Sequence, residues 1–261
     1  MLTLKPVVKN VYTNPSINLF VIGSGGTGGY LLQNLARLVW DMEQNGKEVS
    51  LTIVDGDIVE QKNLLRQSFY RKDVGKNKAE VTAVRLNKMF GMNVSAVSEY
   101  LESTDSVNEL LGTSNTNVLN VVVGCVDNHR TRQLLQEVYA ERQDFLWIDS
   151  GNDEFSGQII VGSPFEGDLT KLPSIVEAYP EILEIENALF NSEVSCDDAA
   201  VDNIQNIAAN INAANYLFNI INRLLSTGEI SIHQVKFNVQ TNTTLVTTIA
   251  DVKEQATMTS A

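Results

Sequence analysis

Glycine crowds one short stretch of this chain, Gly23-Ser24-Gly25-Gly26-Thr27-Gly28-Gly29, directly behind the apolar run Leu19-Phe20-Val21-Ile22. Glycine tolerates positive φ and carries no side chain to hold a backbone away from a ligand, so such a turn lets peptide N–H groups approach a phosphate. A helix starting on the turn adds positive potential at the same point. A plain tight connection between strand and helix is the other reading of the same residues. Asp55 and Asp57 follow, and then Asn63, Arg66, Gln67, Lys76 and Lys78 fall within one polar and basic connection. These groups suit phosphate and carboxylate contacts, although an ordinary solvated loop has a similar composition. Asp127-Asn128 stands behind the apolar run 117–123; Asp127 there is either a ligand contact or a helix N-cap. Cys196, in Ser195-Cys196-Asp197-Asp198, precedes a helical pattern and could act as a nucleophile. The neighbouring acids oppose its thiolate, and a free cysteine is also a small hydrophobe. Cys125 reads as packing beside the turn at 124–127, His129 as a surface or helix-start residue, and His233 carries less signal still.

To share one site, these groups must stand at the same edge of a sheet. Periodicity predicts a strand over 18–22, a helix over 27–43 closed by Asn45-Gly46, and a strand over 51–54 running into Asp55. In such a βαβ unit the acid after the second strand is placed to bond a ribose, here at a spacing somewhat longer than the usual ~20 residues. A helix over 78–90, a strand over 94–97, a helix over 102–111, the doubly buried strand 117–123, a helix over 130–142 and a strand over 145–148 follow. Asp149, Ser150 and Gly151 are expected at the end of that last strand. Another strand is expected over 156–163. Residues 164–198 are acidic, contain Pro164, Pro173 and Pro180, and read as a functional crossover or flap. A long helix is expected over 199–225, its apolar stripe made by Ile204, Ile207, Ala208, Ile211, Ala214, Leu217 and Ile221. Strands over 232–239 and 245–249 form a hairpin, and the tail from Lys253 is expected to fray. The fold class is therefore α/β and Rossmann-like: a mostly parallel central sheet flanked by helices, with a C-terminal antiparallel hairpin. A lead-in over 1–17 precedes a nucleotide-binding core over 18–163. The crossover over 164–198 leads to residues 199–252, which complete the same domain before a tail over 253–261.

A chain of 261 residues suffices for one large domain or one with a small appendage. A net charge of -13 argues against a broad nucleic-acid surface and leaves room for a local basic pocket. Two cysteines make neither a disulfide framework nor a zinc site of paired CxxC motifs, and a reducing compartment follows. No stretch has the length of a membrane span and the N-terminus has no long apolar core, so a cytoplasmic protein is expected.

Taken in order, the glycine turn, Asp55-Gly56-Asp57, Asn63-Leu64-Leu65-Arg66-Gln67, Gly75-Lys76-Asn77-Lys78 and Asp127-Asn128 resemble the E1-like superfamily of ThiF, MoeB and HesA adenylyltransferases. The likeness is specific through about residue 128 and looser beyond. It implies ATP-dependent adenylation of the C-terminal carboxylate of a ubiquitin-like or sulfur-carrier protein ending in glycine. On matching positions it implies that Gly23, Gly25, Gly26 and Gly28 enclose the nucleotide, that Asp55 holds the ribose, and that Asn63, Arg66 and Lys78 contact phosphate. Asp127 would position Mg2+, Gln67 would help order the site, and Asp57 and Asn128 belong to the same motifs. In some relatives a cysteine at the place of Cys196 takes the activated protein as a thioester or takes part in sulfur transfer. Many relatives hold zinc on two CxxC pairs, which this chain lacks, so no structural zinc is expected. Relatives often contribute an N-terminal arginine across a homodimer interface. The first arginine here is Arg37, so Lys5 or Lys9 substitutes or the contact is missing. Two other functions share these features: adenylation of a peptide or small-molecule carboxylate, and a nucleotide-binding scaffold without turnover.

Overall fold

The computed structural model describes residues 16–115, 117–142, 144–164, 171–184 and 206–259. The N-terminal half alternates strand and helix: β1 (Ser16–Ile22), α1 (Gly26–Gln44), β2 (Glu48–Val54), α2 (Lys78–Phe90), β3 (Ser95–Val97), α3 (Thr104–Leu111), β4 (Val118–Gly124), α4 (His129–Glu141) and β5 (Phe145–Asn152). Then come β6 (Ser156–Gly162), the short α5 (Ile175–Ala178), α6 (Ile207–Thr227), β7 (Ile232–Asn238), β8 (Thr243–Thr248) and α7 (Ile249–Thr259). The strands form one sheet in the order β3-β2-β1-β4-β5-β6-β7-β8. The first five are parallel, and β6, β7 and β8 are added antiparallel.

The apolar run of β1 is explained by burial on both faces. Ile17, Leu19 and Val21 pack with Leu31 and Leu35 of α1, Leu86 of α2 and Leu217 of α6. Phe20 and Ile22 pack on the other side with Val107 of α3, Leu134 of α4 and Ile175 of α5. Because β1 pairs with β2 on one side and with β4 on the other, the strand order reverses there. A crevice opens at the carboxyl ends of the strands at such a reversal, and the glycine turn leaves β1 at that point.

The expected α/β class with a mostly parallel sheet and a C-terminal antiparallel pair is the one observed. Four details differ. β5 continues through Asp149, Ser150 and Gly151, which were expected beyond its end, because β6 pairs with them (Asp149↔Ile160, Gly151↔Gln158). α6 buries Ala214, Leu217 and Ile221 of the expected stripe, but Ile207 and Ile211 of that stripe are exposed, and Ala209, Ala213 and Ile220 are buried as well. Small residues at the start of α6 let it approach α1 closely, and Ile207 and Ile211 remain outside. The second hairpin strand ends at Thr248, and Ile249 opens α7. The tail from Lys253 was expected to fray but continues that helix, whose start is held by a reciprocal pair. Asp251 Oδ2 accepts from Thr248 N at 2.7 Å, and Asp251 N donates to Thr248 Oγ1 at 3.2 Å. The expected helix residues 199–205 and Cys196 lie outside the described residues. Among the described residues no helix is long and apolar enough to cross a membrane.

The phase of α6 can be measured. Leu217→Ala should cost about 2–5 kcal/mol in urea unfolding, whereas Ile211→Ala on the exposed face should cost less than ~1 kcal/mol.

Candidate functional site

Backbone bonds tie the strand ends around the glycine turn: Gly23 N donates to Val54 O, and Cys125 N donates to Ile22 O, both at 2.8 Å. Gly23 has φ +92°, and a Cβ there would lie 2.7 Å from the Cys125 carbonyl oxygen. A Cβ on Gly28 would lie 1.9 Å from the Gly23 carbonyl oxygen, so only glycine lets α1 sit down on its own turn. Gly26 has a different neighbour. A Cβ there would meet the Asn210 amide nitrogen of α6 at 2.4 Å, while Gly25 faces the Gln67 amide. No side chain caps α1 at Gly25, which leaves its first N–H groups to the crevice.

Asp55, just past β2, braces the turn. Its Oδ2 accepts from Ser24 N at 2.7 Å and Ser24 Oγ at 2.8 Å, and its Oδ1 accepts from Asp57 N at 3.0 Å. Burial raises the Asp55 pKa above the usual carboxylate range, with the Lys78 charge and the Ser24 and Asp57 N–H bonds pulling the other way. Asp57 is also disfavoured as an anion by burial. There, however, Lys78, the Tyr100 hydroxyl and Lys62 prevail and bring its pKa below the usual range. Lys78, the first residue of α2, places Nζ 2.7 Å from Asp57 Oδ2 while its side chain stays almost fully buried. An ammonium has three N–H donors, so two remain without a protein partner among the described residues.

A cavity of about 240 Å³ gathers Gly23, Gly25, Gly26, Asp55, Asp57, Arg66, Gln67, Lys78 and Asp127 on its wall. The Gln67 Oε1 is buried without a hydrogen-bond partner among the described residues. Gly28, Asn63 and Asn128 stand outside that lining. Asn63 Oδ1 accepts from Glu60 N at 2.8 Å, bracing the short turn Gln61–Leu65. Asn128 Oδ1 accepts from Thr131 N at 3.1 Å, making Asn128 the N-cap of α4. Asp127 is therefore left exposed on the cavity wall with the cap taken by its neighbour. A glycine turn, two lysine donors, an arginine and an exposed carboxylate suit a nucleoside triphosphate, and one carboxylate plus phosphate oxygens is a common donor set for Mg2+. Among the described residues no group of three or more His, Cys, Asp or Glu is placed to hold a metal by itself.

The ThiF family model matches this chain over residues 15–256. The chain belongs to the ThiF family. It is 32% identical over 119 residues to ubiquitin-activating enzyme E1 1 of Candida albicans, covering 45% of this chain and 11% of that enzyme. It is 34% identical over 127 residues to the SAMP-activating enzyme E1 of Haloferax volcanii, covering 47% of this chain and 41% of that one. The chain thus spans well under half the length of these relatives. Its fold is similar to a crystal structure of E. coli MccB with ATP, with a TM-score of 0.63 at 16% identity over 92% of this chain and 65% of that one.

In this ThiF-family chain several wall residues were missed by reading motifs. Arg132 of α4 is almost fully buried; its Nε donates to Asp149 Oδ1 at 2.8 Å, and its Nη2 donates to Val126 O at 2.7 Å and Ser150 O at 3.0 Å. The guanidinium thereby binds the turn carrying Asp127 to β5. Burial raises the Asp149 pKa, and Arg132 opposes the shift. Arg132 lies one helical turn beyond Asn128, a spacing that could have flagged it. Asn152 bridges Thr27 Oγ1 at 3.2 Å and Asn210 Oδ1 at 2.7 Å, and Tyr100 reaches Asp57; neither bears a local sequence signal. His129 also lines the cavity, its pKa lowered by burial and by Arg132. Cys125 packs against the apolar layer, and burial followed by the Asp149 charge pushes its thiol pKa up, consistent with a packing role.

Arg132→Met should destabilise the fold at neutral pH by about 3–5 kcal/mol, because it leaves Asp149 charged and buried. Protonating Asp149 removes that charge, and its folded pKa is raised. The deficit should therefore shrink as pH falls through that raised value and be smallest below the ordinary carboxylate pKa of about 4, as read by unfolding at several pH values.

Proposed function

We propose that this chain uses ATP and Mg2+ to adenylate the C-terminal carboxylate of a ubiquitin-like or sulfur-carrier protein ending in glycine. The observation that carries this reading is the convergence of Arg66, Lys78 and Asp127 on one cavity at the start of α1. The relatives that activate ubiquitin and SAMP support a protein carboxylate as the acceptor.

The substrate carboxylate attacks the α-phosphorus, the new carboxyl–phosphate bond forms, and the bond to the bridging oxygen of pyrophosphate breaks. No strong base is required, since the attacking group is already an anion. The reaction needs alignment and neutralisation of phosphate charge. Arg66 and the two remaining Lys78 donors supply fixed positive groups, and the α1 N–H groups supply oriented dipoles. Asp127 would hold Mg2+, which adds charge neutralisation at the phosphates. A carboxylate offers about four acceptor positions. Asp55 uses three of them on Ser24 and Asp57, leaving one on Oδ1 for a ribose hydroxyl. Asn63 and Asn128 serve this reading indirectly, by shaping the turn before Arg66 and freeing Asp127 from capping. Cys196 then takes the acyl group as a thioester with release of AMP.

Carrier-dependent exchange of pyrophosphate into ATP tests the adenylation step. Asp127→Ala or Arg66→Ala should lower exchange at least ~100-fold. Cys196→Ser should keep exchange and lose the reductant-sensitive adduct seen by intact mass. Exchange supported only by a peptide or small acid would replace the protein substrate, and ATP binding without exchange with any diglycine-ending protein would leave a scaffold. Full carrier transfer by Cys196→Ser would remove the covalent step.

A further inference from the structure

Tyr100 lies in the connection after β3, far in sequence from every motif of the site, yet it touches the site's charged groups twice. Its ring covers the backbone of Gly56, where a Cβ would come within 2.6 Å of ring atoms. Its hydroxyl donates to Asp57 Oδ1 at 2.5 Å, while Asp57 Oδ2 holds Lys78 Nζ at 2.7 Å. The two oxygens of one carboxylate are thus divided between a neutral donor and an ammonium. Lys78 and Tyr100 both line the cavity.

This division has a geometric consequence for Lys78. Without the bond to Oδ1 the Asp57 carboxylate could rotate, and the ammonium it holds would turn with it. With Oδ1 anchored on the tyrosine the carboxylate is held in one orientation, in which Lys78 spends one donor on Asp57 and keeps two. The backbone N–H of Lys78 donates to Asp57 O at 2.9 Å, so the same residue holds both ends of the lysine.

We propose that Tyr100 is a positioning residue that fixes the Asp57 carboxylate and, through it, the Lys78 ammonium, keeping the other ammonium donors turned toward the phosphates of a bound nucleotide. This rests on the nucleotide-binding reading of the cavity and does not depend on which carboxylate is adenylated.

Tyr100→Phe keeps the ring over Gly56 and deletes only the hydroxyl. Titrating the full chain with ATP and, separately, with adenosine should show ATP affinity about tenfold weaker in the variant and adenosine affinity within twofold of wild type, at a temperature where both chains are fully folded. In a Lys78→Ala background the same change should have no further effect on ATP affinity. An equal loss for ATP and adenosine, no loss for ATP, or a full additional loss in the Lys78→Ala background would each overturn the proposal. A wild-type chain that binds ATP but supports no exchange would remove adenylation while leaving this comparison intact. A wild-type chain that binds no ATP would overturn both.

Discussion

The site depends first on one half-buried carboxylate. Asp55 stands where β2 ends and the strand order reverses, and it grips the glycine turn through both the backbone N–H and the hydroxyl of Ser24. A charge there is costly to desolvate, which is the main reason its pKa rises. It is tolerated because three donors converge on it and Lys78 lies nearby. The same bonds that offset burial also hold the turn at the end of β1, so stabilising the acid and shaping the cavity are one arrangement. Asp57 extends it outward: its N–H serves Asp55, and its carboxylate serves Lys78 and Tyr100.

A second buried charge frames the opposite lip. Asp149 lies inside β5, and Arg132 spans from it to the carbonyls of Val126 and Ser150. Buried ion pairs add little net stability compared with apolar packing, but they enforce geometry, since breaking one strands a charge. Here the geometry enforced is the height of the β4–α4 turn and of Asp127 above the sheet. Asn128 contributes by taking the helix cap, which would otherwise compete for Asp127. The cavity wall carries Arg66, Lys78 and Arg132 beside the carboxylates of Asp55, Asp57, Glu99, Asp127 and Asp153. An anionic ligand is therefore met by individual donors and by the start of α1 rather than by a wall of positive charge.

Helix α6 shows how the second half of the chain enters the site without supplying an obvious motif. Asn210, fully buried in α6, sits over Gly26 and bonds Asn152, which in turn bonds Thr27. This links the end of β5, the first turn of α1 and the first turns of α6. Gly26 is thus required by a neighbour from the far end of the sequence, in addition to any ligand.

Much of this was legible in the sequence for local reasons. Continuous apolar runs mark strands buried on both faces, helical periodicity marks their covering layers, and a glycine cluster between them marks a turn that no side chain would fit. Residue type at motif positions likewise identified Arg66, Lys78 and Asp127 as wall residues, because charge is a property of the side chain itself. What the tertiary structure decided depends on contacts between segments distant in the chain. The inward face of α6 was set by how closely α1 could approach, so Ile211 lies outside despite its hydrophobicity. Asn63 and Asn128 became caps because nearby N–H groups lay within reach once their turns formed. Tyr100, Arg132 and Asn210 reach the site through register and helix packing, and nothing in their immediate neighbours encodes where such packing will place them. The chain alone marked the residues suited to phosphate contacts, and the fold decided which of them face one cavity.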